Sequence, residues 1–277
     1  MTYPEAEAAF ASRPVELAQM YAFCGKALWS FEFNREPRLA CAVLPFKDWD
    51  EFDAFFGTVP ETLGHAELLA KAAAKYREAI EAAAPGTALC GSLWLELSSV
   101  ADLAGGSAEE CYAEAERIFA PLGDEERLGD VCMGRAHGAR YGTYDMEACA
   151  RLLREARAHF DRAGAARGSA HAAMRLAETL PPDMALYGEA SDLFDRAGDK
   201  ESAANALAAA IRAFREKGDA GMEEAAFGDC LLYIERNFTG EDLAKNYDAA
   251  AAFHASKGRS EVAASYRAKA AALRPAD

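Results

Sequence analysis

Five histidines, seven cysteines and forty-five carboxylates are the side chains that could carry chemistry in this 277-residue chain. A zinc site or an activated nucleophile needs such groups in a fixed register, for example two histidines four residues apart on a helix, or cysteines in a Cys-x-x-Cys pair. His65, His137, His159, His171 and His254 have no such spacing, and no Cys-x-x-Cys occurs. Cys90, Cys111 and Cys132 do recur at intervals of 21 residues. A metal or redox cluster is one meaning of that interval. The other, which the helical context favours, is that successive helices each bury one small thiol at an equivalent depth. Phosphate-binding glycine loops, a Gly-x-Ser-x-Gly elbow and a placeable Ser/His/Asp set are all absent from the sequence. The carboxylates ride on amphipathic segments, where a solvated face produces pairs without catalysis. The expectation is a non-enzymatic chain with no catalytic, cofactor-binding or metal residues.

One stretch could instead carry recognition. Residues 34–62 include Pro45-Phe-Lys-Asp-Trp-Asp-Glu-Phe-Asp-Ala-Phe-Phe56. Asp48 can cap a short helix there, and Trp49, Phe52 and Phe56 fall at i, i+3 and i+7, one aromatic stripe. A repeat array needs its ends covered, so a capping helix is the simpler reading of that stripe. Trp and Phe are also the usual anchors of protein interfaces, which makes Trp49, Phe52 and Phe56 the candidate protein-binding residues.

The elements around these residues read as helices throughout. β-Branched runs and Asn-Gly turns are missing, proline is scarce at ten residues, and alanine occurs in clusters. Helices are expected at 14–32, 65–84, 88–104, 108–121, 125–140, 145–163, 166–179, 183–197, 200–217, 220–237, 241–257 and 260–273. Asp124, Asp145, Asp183, Asp199 and Asp219 stand where a carboxylate can accept first-turn amides. Ser107 with Glu110, and Thr239 with Asp242, have capping-box spacing. Gly123, Gly164, Gly198, Gly218 and Gly258 mark the stops. Connections this short force sequential helices to pack antiparallel.

The decisive pattern is a repeat. Phe160-Asp-Arg-Ala-Gly164 returns letter for letter as Phe194-Asp-Arg-Ala-Gly198, 34 residues later. Phe119 with Gly123 and Phe214 with Gly218 keep the same spacing, and Phe253 with Gly258 is one residue longer. Ala115, Ala156, Ala190, Ala210 and Ala249 each precede one of these phenylalanines by four, on the same helix face. A period in this range marks stacked helical hairpins. The segments Ala156-x-x-x-Phe160-x-x-Ala163 and Ala190-x-x-x-Phe194-x-x-Ala197 resemble the second helix of a tetratricopeptide repeat. The run from Tyr187 through Ala190, Phe194, Ala203 and Ala210 to Phe214 is similar to the SNAP-type repeats of vesicle-fusion adaptors. Leu93-Trp-Leu-Glu-Leu97 resembles a stretch of small huntingtin-associated helical-repeat proteins. The Trp-Leu-Gly-Tyr pattern of the family's first helix is not met, and Phe119 to Phe160 is 41 residues, so the repeat is irregular.

The resemblance implies an all-α fold, an α-solenoid of antiparallel helix pairs wound as a right-handed superhelix. Residues 1–62 then form an N-terminal helix with the aromatic capping segment, and 63–277 one continuous array. It also implies a protein partner, whether peptide, helix or subunit, and an adaptor role, with vesicle trafficking as the process. The net charge of −15 supplies no basic footprint for nucleic acid. The longest uncharged stretch, residues 82–95, is broken by Pro85-Gly86 and is too short for a bilayer, so no membrane insertion is expected. An N-terminus without a basic and apolar leader, together with scattered cysteines, points to the cytoplasm. Two other functions stay open: a binder of an apolar small molecule using the aromatics between Phe31 and Phe56, and an enzyme with its site in the concave wall.

Overall fold

In the computed structural model, which describes residues 65–103 and 107–274, every regular element is a helix. The order is α1 (His65–Ala82), α2 (Ala88–Leu103), α3 (Glu109–Leu122), α4 (Glu125–Tyr141), α5 (Met146–Ala163), α6 (Ala166–Thr179), α7 (Met184–Arg196), α8 (Lys200–Lys217), α9 (Ala220–Asn237), α10 (Gly240–Ser256) and α11 (Ser260–Ala272). The helices expected from residue 65 onward are all present, with ends displaced by two residues at most. The expected helix at 14–32 and the aromatic segment with Trp49, Phe52 and Phe56 lie outside the described residues.

The aspartates cap as their positions require. Carboxylates of Asp124, Asp145, Asp183, Asp199 and Asp219 accept the amides of Arg127, Ala148, Ala185, Ser202 and Met222 at 2.9–3.2 Å. Such a cap stabilises its helix by about 1 kcal/mol. Neither capping box forms. The chain enters α3 already helical at Ala108 (φ −74°, ψ −16°), which is the N-cap, so Ser107 stands one residue too early for its partner Glu110. Thr239 is the N-cap of α10 without a side-chain bond, because Gly240 beside it turns left-handed at φ +58° and alters the presentation of the first amides.

The Phe-to-Gly spacing has a backbone cause. Gly123 is left-handed (φ +65°), its amide bonds the Ala120 carbonyl at 3.1 Å, and the Asp124 amide bonds the Phe119 carbonyl at 3.2 Å. This Schellman ending puts the accepting residue four before the left-handed one. The same two bonds recur at Gly198 with Asp195 and Phe194, and at Gly218 with Arg215 and Phe214. At Gly258 the inner carbonyl belongs to His254, which is why Phe253 stands one residue further back. That shift also overturns one expectation: Ala249, four before Phe253, is exposed, and Ala250 and Ala251 are buried in its place. Ala115, Ala156, Ala190 and Ala210 are fully buried, as expected.

The chain divides into two compact units, Met1–Ala163 and Gly164–Asp277. In the first, α1 packs on α2, α2 on α3, α3 on α4 and α4 on α5, and α2 also reaches α4. In the second, α6, α7, α8 and α9 pack in sequence and α10 packs on α11, with only light contact between α9 and α10. Packing within each unit follows one rule: an aromatic ring lies on a small residue of a neighbouring helix. A Cβ added at Gly91 of α2 would meet the Phe119 ring at 2.6 Å, and one at Gly129 of α4 would meet the Phe160 ring at 2.7 Å. Phe194 sits among Ala170, Ala173, Ala203 and Ala206, and Phe214 among Ala177, Ala209 and Ala226.

Ion pairs reinforce the period. His159 meets Glu125 at 2.7 Å and Lys257 meets Glu223 at 2.5 Å, each pair 34 residues apart. Lys269 meets Glu235 at 3.5 Å over the same separation. Glu223 is 4% exposed and also accepts from Arg215 Nε at 2.7 Å, so one carboxylate joins α8, α9 and the residue after α10 where helix packing is lightest.

Candidate functional site

The connection between α4 and α5 departs most from the plain helix-to-helix turn. Gly142 and Thr143 both direct their amides at the Gly138 carbonyl, at 2.8 and 3.2 Å, and the Asp145 amide reaches the Ala139 carbonyl at 2.8 Å. The Thr143 hydroxyl bonds that same carbonyl at 3.2 Å. Closing the turn this way sets Tyr144 at φ +57°, the only left-handed non-glycine among the described residues. A bulky residue gives up about 1–2 kcal/mol there. Asp145 then caps α5.

The strained tyrosine is not packed. Tyr144 is 76% exposed, Tyr141 53% and Met146 41%, so three of the seven large exposed apolar side chains among the described residues fall within six positions. Tyr141 lies 4.7 Å from the His137 ring, centroid to centroid, and the Arg140 guanidinium sits 5.4 Å over its face.

A cleft of about 840 Å³ adjoins this turn, walled by the start of α3, the end of α4 and one face of α5. Tyr112 forms part of it, its ring against Gly134 of α4, where an added Cβ would meet the ring at 2.5 Å. The cations of the cleft are engaged. Arg135 holds Glu109 at 2.8 Å and Glu116 at 2.6 Å, and Arg151 holds Glu155 at 2.9 Å. A neutral, aromatic-edged cleft with its charges paired is suited to holding a surface rather than polarising a bond.

The other sequence candidates are scattered. Cys90, Cys111 and Cys132 are buried on α2, α3 and α4, in line with the buried-thiol reading of their interval. Burial pushes the Cys132 and Cys230 thiols up to about 11, which keeps both protonated and unreactive near neutrality. His159 engages Glu125, and Arg162 meets the same carboxylate at 2.8 Å; hydrogen bonds from both hold Glu125 below the usual carboxylate range. Because Arg162 Nη2 also lies 2.8 Å from His159 Nδ1, this trio clamps the start of α4 to the end of α5. His171 meets Phe194 edge-on at 4.9 Å, and burial lowers its pKa. His254 stacks on Tyr266 at 5.4 Å. The side chain of His65 is outside the described set, as are Trp49, Phe52 and Phe56. Among the described residues no three His, Cys, Asp or Glu side chains are grouped to hold a metal ion.

Sequence reasoning passed over the Tyr141–Met146 turn as a connection. Its signal was the placement of two tyrosines in a glycine-containing turn with no helix left to bury them. No family model matches the chain, and no curated protein matches it. None of the described helices is long and apolar enough to cross a membrane.

Proposed function

We propose that the chain is a non-enzymatic adaptor or complex subunit that holds another protein at the Tyr141–Met146 turn and the cleft beside it. The observation that carries this reading is the strained, exposed Tyr144 standing with Tyr141 and Met146 at the mouth of a cleft whose charges are already paired. Backbone strain kept at an exposed position is a mark of recognition sites, and tyrosine combines a large contact area with few rotatable bonds. The repeat period and its ring-on-alanine packing support stacking of each unit's helices in the right-handed sense of a tetratricopeptide-like solenoid. A role in vesicle traffic rests on the SNAP resemblance of Tyr187–Phe214 alone.

The test is capture of interacting proteins from the chain's own cells, with the wild-type chain and a Tyr141→Ala/Tyr144→Ala variant compared side by side. The reading requires a stoichiometric partner retained by the wild type and lost by the variant, at unchanged helical circular dichroism. Equal retention by both would remove the turn from the interface. Absence of any partner for the wild type would remove the adaptor reading.

A further inference from the structure

A ring lying on a small residue of the next helix is the contact that recurs in both units, and one place in the first unit has the small residues without the ring. A cleft of about 710 Å³ opens between α1, α2 and α3, with Ala73, Leu97, Ala101 and Ala113 on its walls beside the half-buried Trp94. Arg77 stands at its α1 side, exposed and without an ion-pair partner among the described residues. The α3 side carries Glu110 and Glu114.

We propose that residues 48–56 of this same chain fold back as a short amphipathic helix and fill that cleft, seating Trp49, Phe52 and Phe56 on its alanines. Three observations select this occupant. The first is reach: eight residues, 57–64, separate the stripe from α1, and fully extended they span about 26–29 Å. Ala73 and Arg77 lie only about 12 and 18 Å along α1 from its first residue. The second is packing: the stripe supplies aromatic rings at helical spacing, and the cleft supplies the small residues on which this fold seats rings elsewhere. The third is charge. Asp48, Asp50, Glu51 and Asp53 make the segment strongly acidic, and the cleft offers one unpaired cation on the α1 wall and two carboxylates on the α3 wall. Only the orientation that turns the acidic side to Arg77 is favourable, which fixes how the helix lies. The inference is independent of the tyrosine turn, and it assigns Trp49, Phe52 and Phe56 to the fold rather than to a partner.

Trypsin cleavage after Lys47 in the full chain tests it, measured against the same bond in a synthetic peptide of residues 44–60. Docking predicts cleavage at least about tenfold slower in the chain than in the peptide, since cutting follows the population of the released segment. Ala113 is exposed, so Ala113→Arg fills the cleft without disturbing α3. It should bring cleavage to within about twofold of the peptide, at unchanged circular dichroism. Trp49→Ala should do the same from the segment's side and serves if the Ala113→Arg chain misfolds. Equal rates for wild-type chain and peptide would overturn the proposal, and would point to a partner protein as the occupant. Protection that survives both substitutions would place the segment elsewhere and overturn it too. Protection that grows with protein concentration, alongside doubled mass in sedimentation, would assign the cleft to a second copy.

Discussion

Glu223→Gln removes charge from the only acid buried among the described residues and leaves its shape in place. The carboxylate accepts from Lys257 Nζ at 2.5 Å and Arg215 Nε at 2.7 Å. Stripping one partner from a fully buried pair costs about 3–5 kcal/mol, and an exposed pair is worth about 0–1 kcal/mol. Glu223 lies at the buried limit, but its partners do not: Arg215 is 59% exposed and Lys257 32%, so both regain water once released. The expected loss is therefore intermediate, about 2 kcal/mol at neutral pH. Urea unfolding followed by circular dichroism should show a lower midpoint at unchanged slope. The pH dependence provides a second check. Hydrogen bonds from Lys257 and then Arg215 hold the Glu223 carboxyl below its ordinary value. Its contribution is thus complete well above the unfolded-state pKa of about 4.3 and disappears as pH falls through the folded value. The gap between wild type and Glu223→Gln should close on acidification. A loss under about 0.5 kcal/mol at pH 7, or a gap that persists to about pH 3, would refute the account of Glu223 as the tie between α8, α9 and the end of α10.

Gly129→Ala and Gly228→Ala should move stability in opposite directions in the same urea assay. At Gly129 the new methyl meets the buried Phe160 ring at 2.7 Å, costing about 1–3 kcal/mol, whereas Gly228 faces open space and should gain about 0.5–1 kcal/mol from helix propensity. Tyr144→Gly relieves the left-handed strain and should raise stability by about 1 kcal/mol while abolishing partner retention; a stability loss would show that Tyr144 is packed. Phe194→Ala should cost about 3–5 kcal/mol, and a cost under about 1 kcal/mol would mean the ring is not core. Iodoacetamide should label Cys132 and Cys230 slowly in the folded chain and at the rate of a free peptide thiol in urea, as read by mass spectrometry.

What was legible in the sequence is what the backbone dictates locally. An aspartate before a helix and a glycine after it act within one turn, so the five aspartate caps and the Phe-to-Gly endings could be read without knowing any neighbour. The Ser107 box failed by a single residue of register, because the entry into α3 at Ala108 is a backbone choice that the side chains do not announce. Gly91 and Gly129 were invisible for a different reason. Inside a helix, propensity marks glycine only as a cost, and its purpose here is a ring belonging to another helix. Tyr144 was missed because its exposure follows from what does not pack on it.

The alanine clusters show why the tertiary part is harder to read than the helices. By propensity they signal helix and nothing more, yet Ala170, Ala173, Ala203 and Ala206 all serve one ring, that of Phe194. The ring and its seat lie up to 24 residues away in either direction, so no window around either residue contains the contact. The same holds for Glu125 with His159 and Glu223 with Lys257, which pair across 34 residues, the displacement already visible between Phe160 and Phe194. A repeat period therefore carries long-range information that composition and local pattern lack. Once two helix endings fix the interval, the residues one interval apart become candidates for contact, and acids and bases at that separation are the first to examine. By that rule the array is specified locally at its caps and periodically at its ion pairs, while the binding turn, which obeys neither, must be found from exposure and strain.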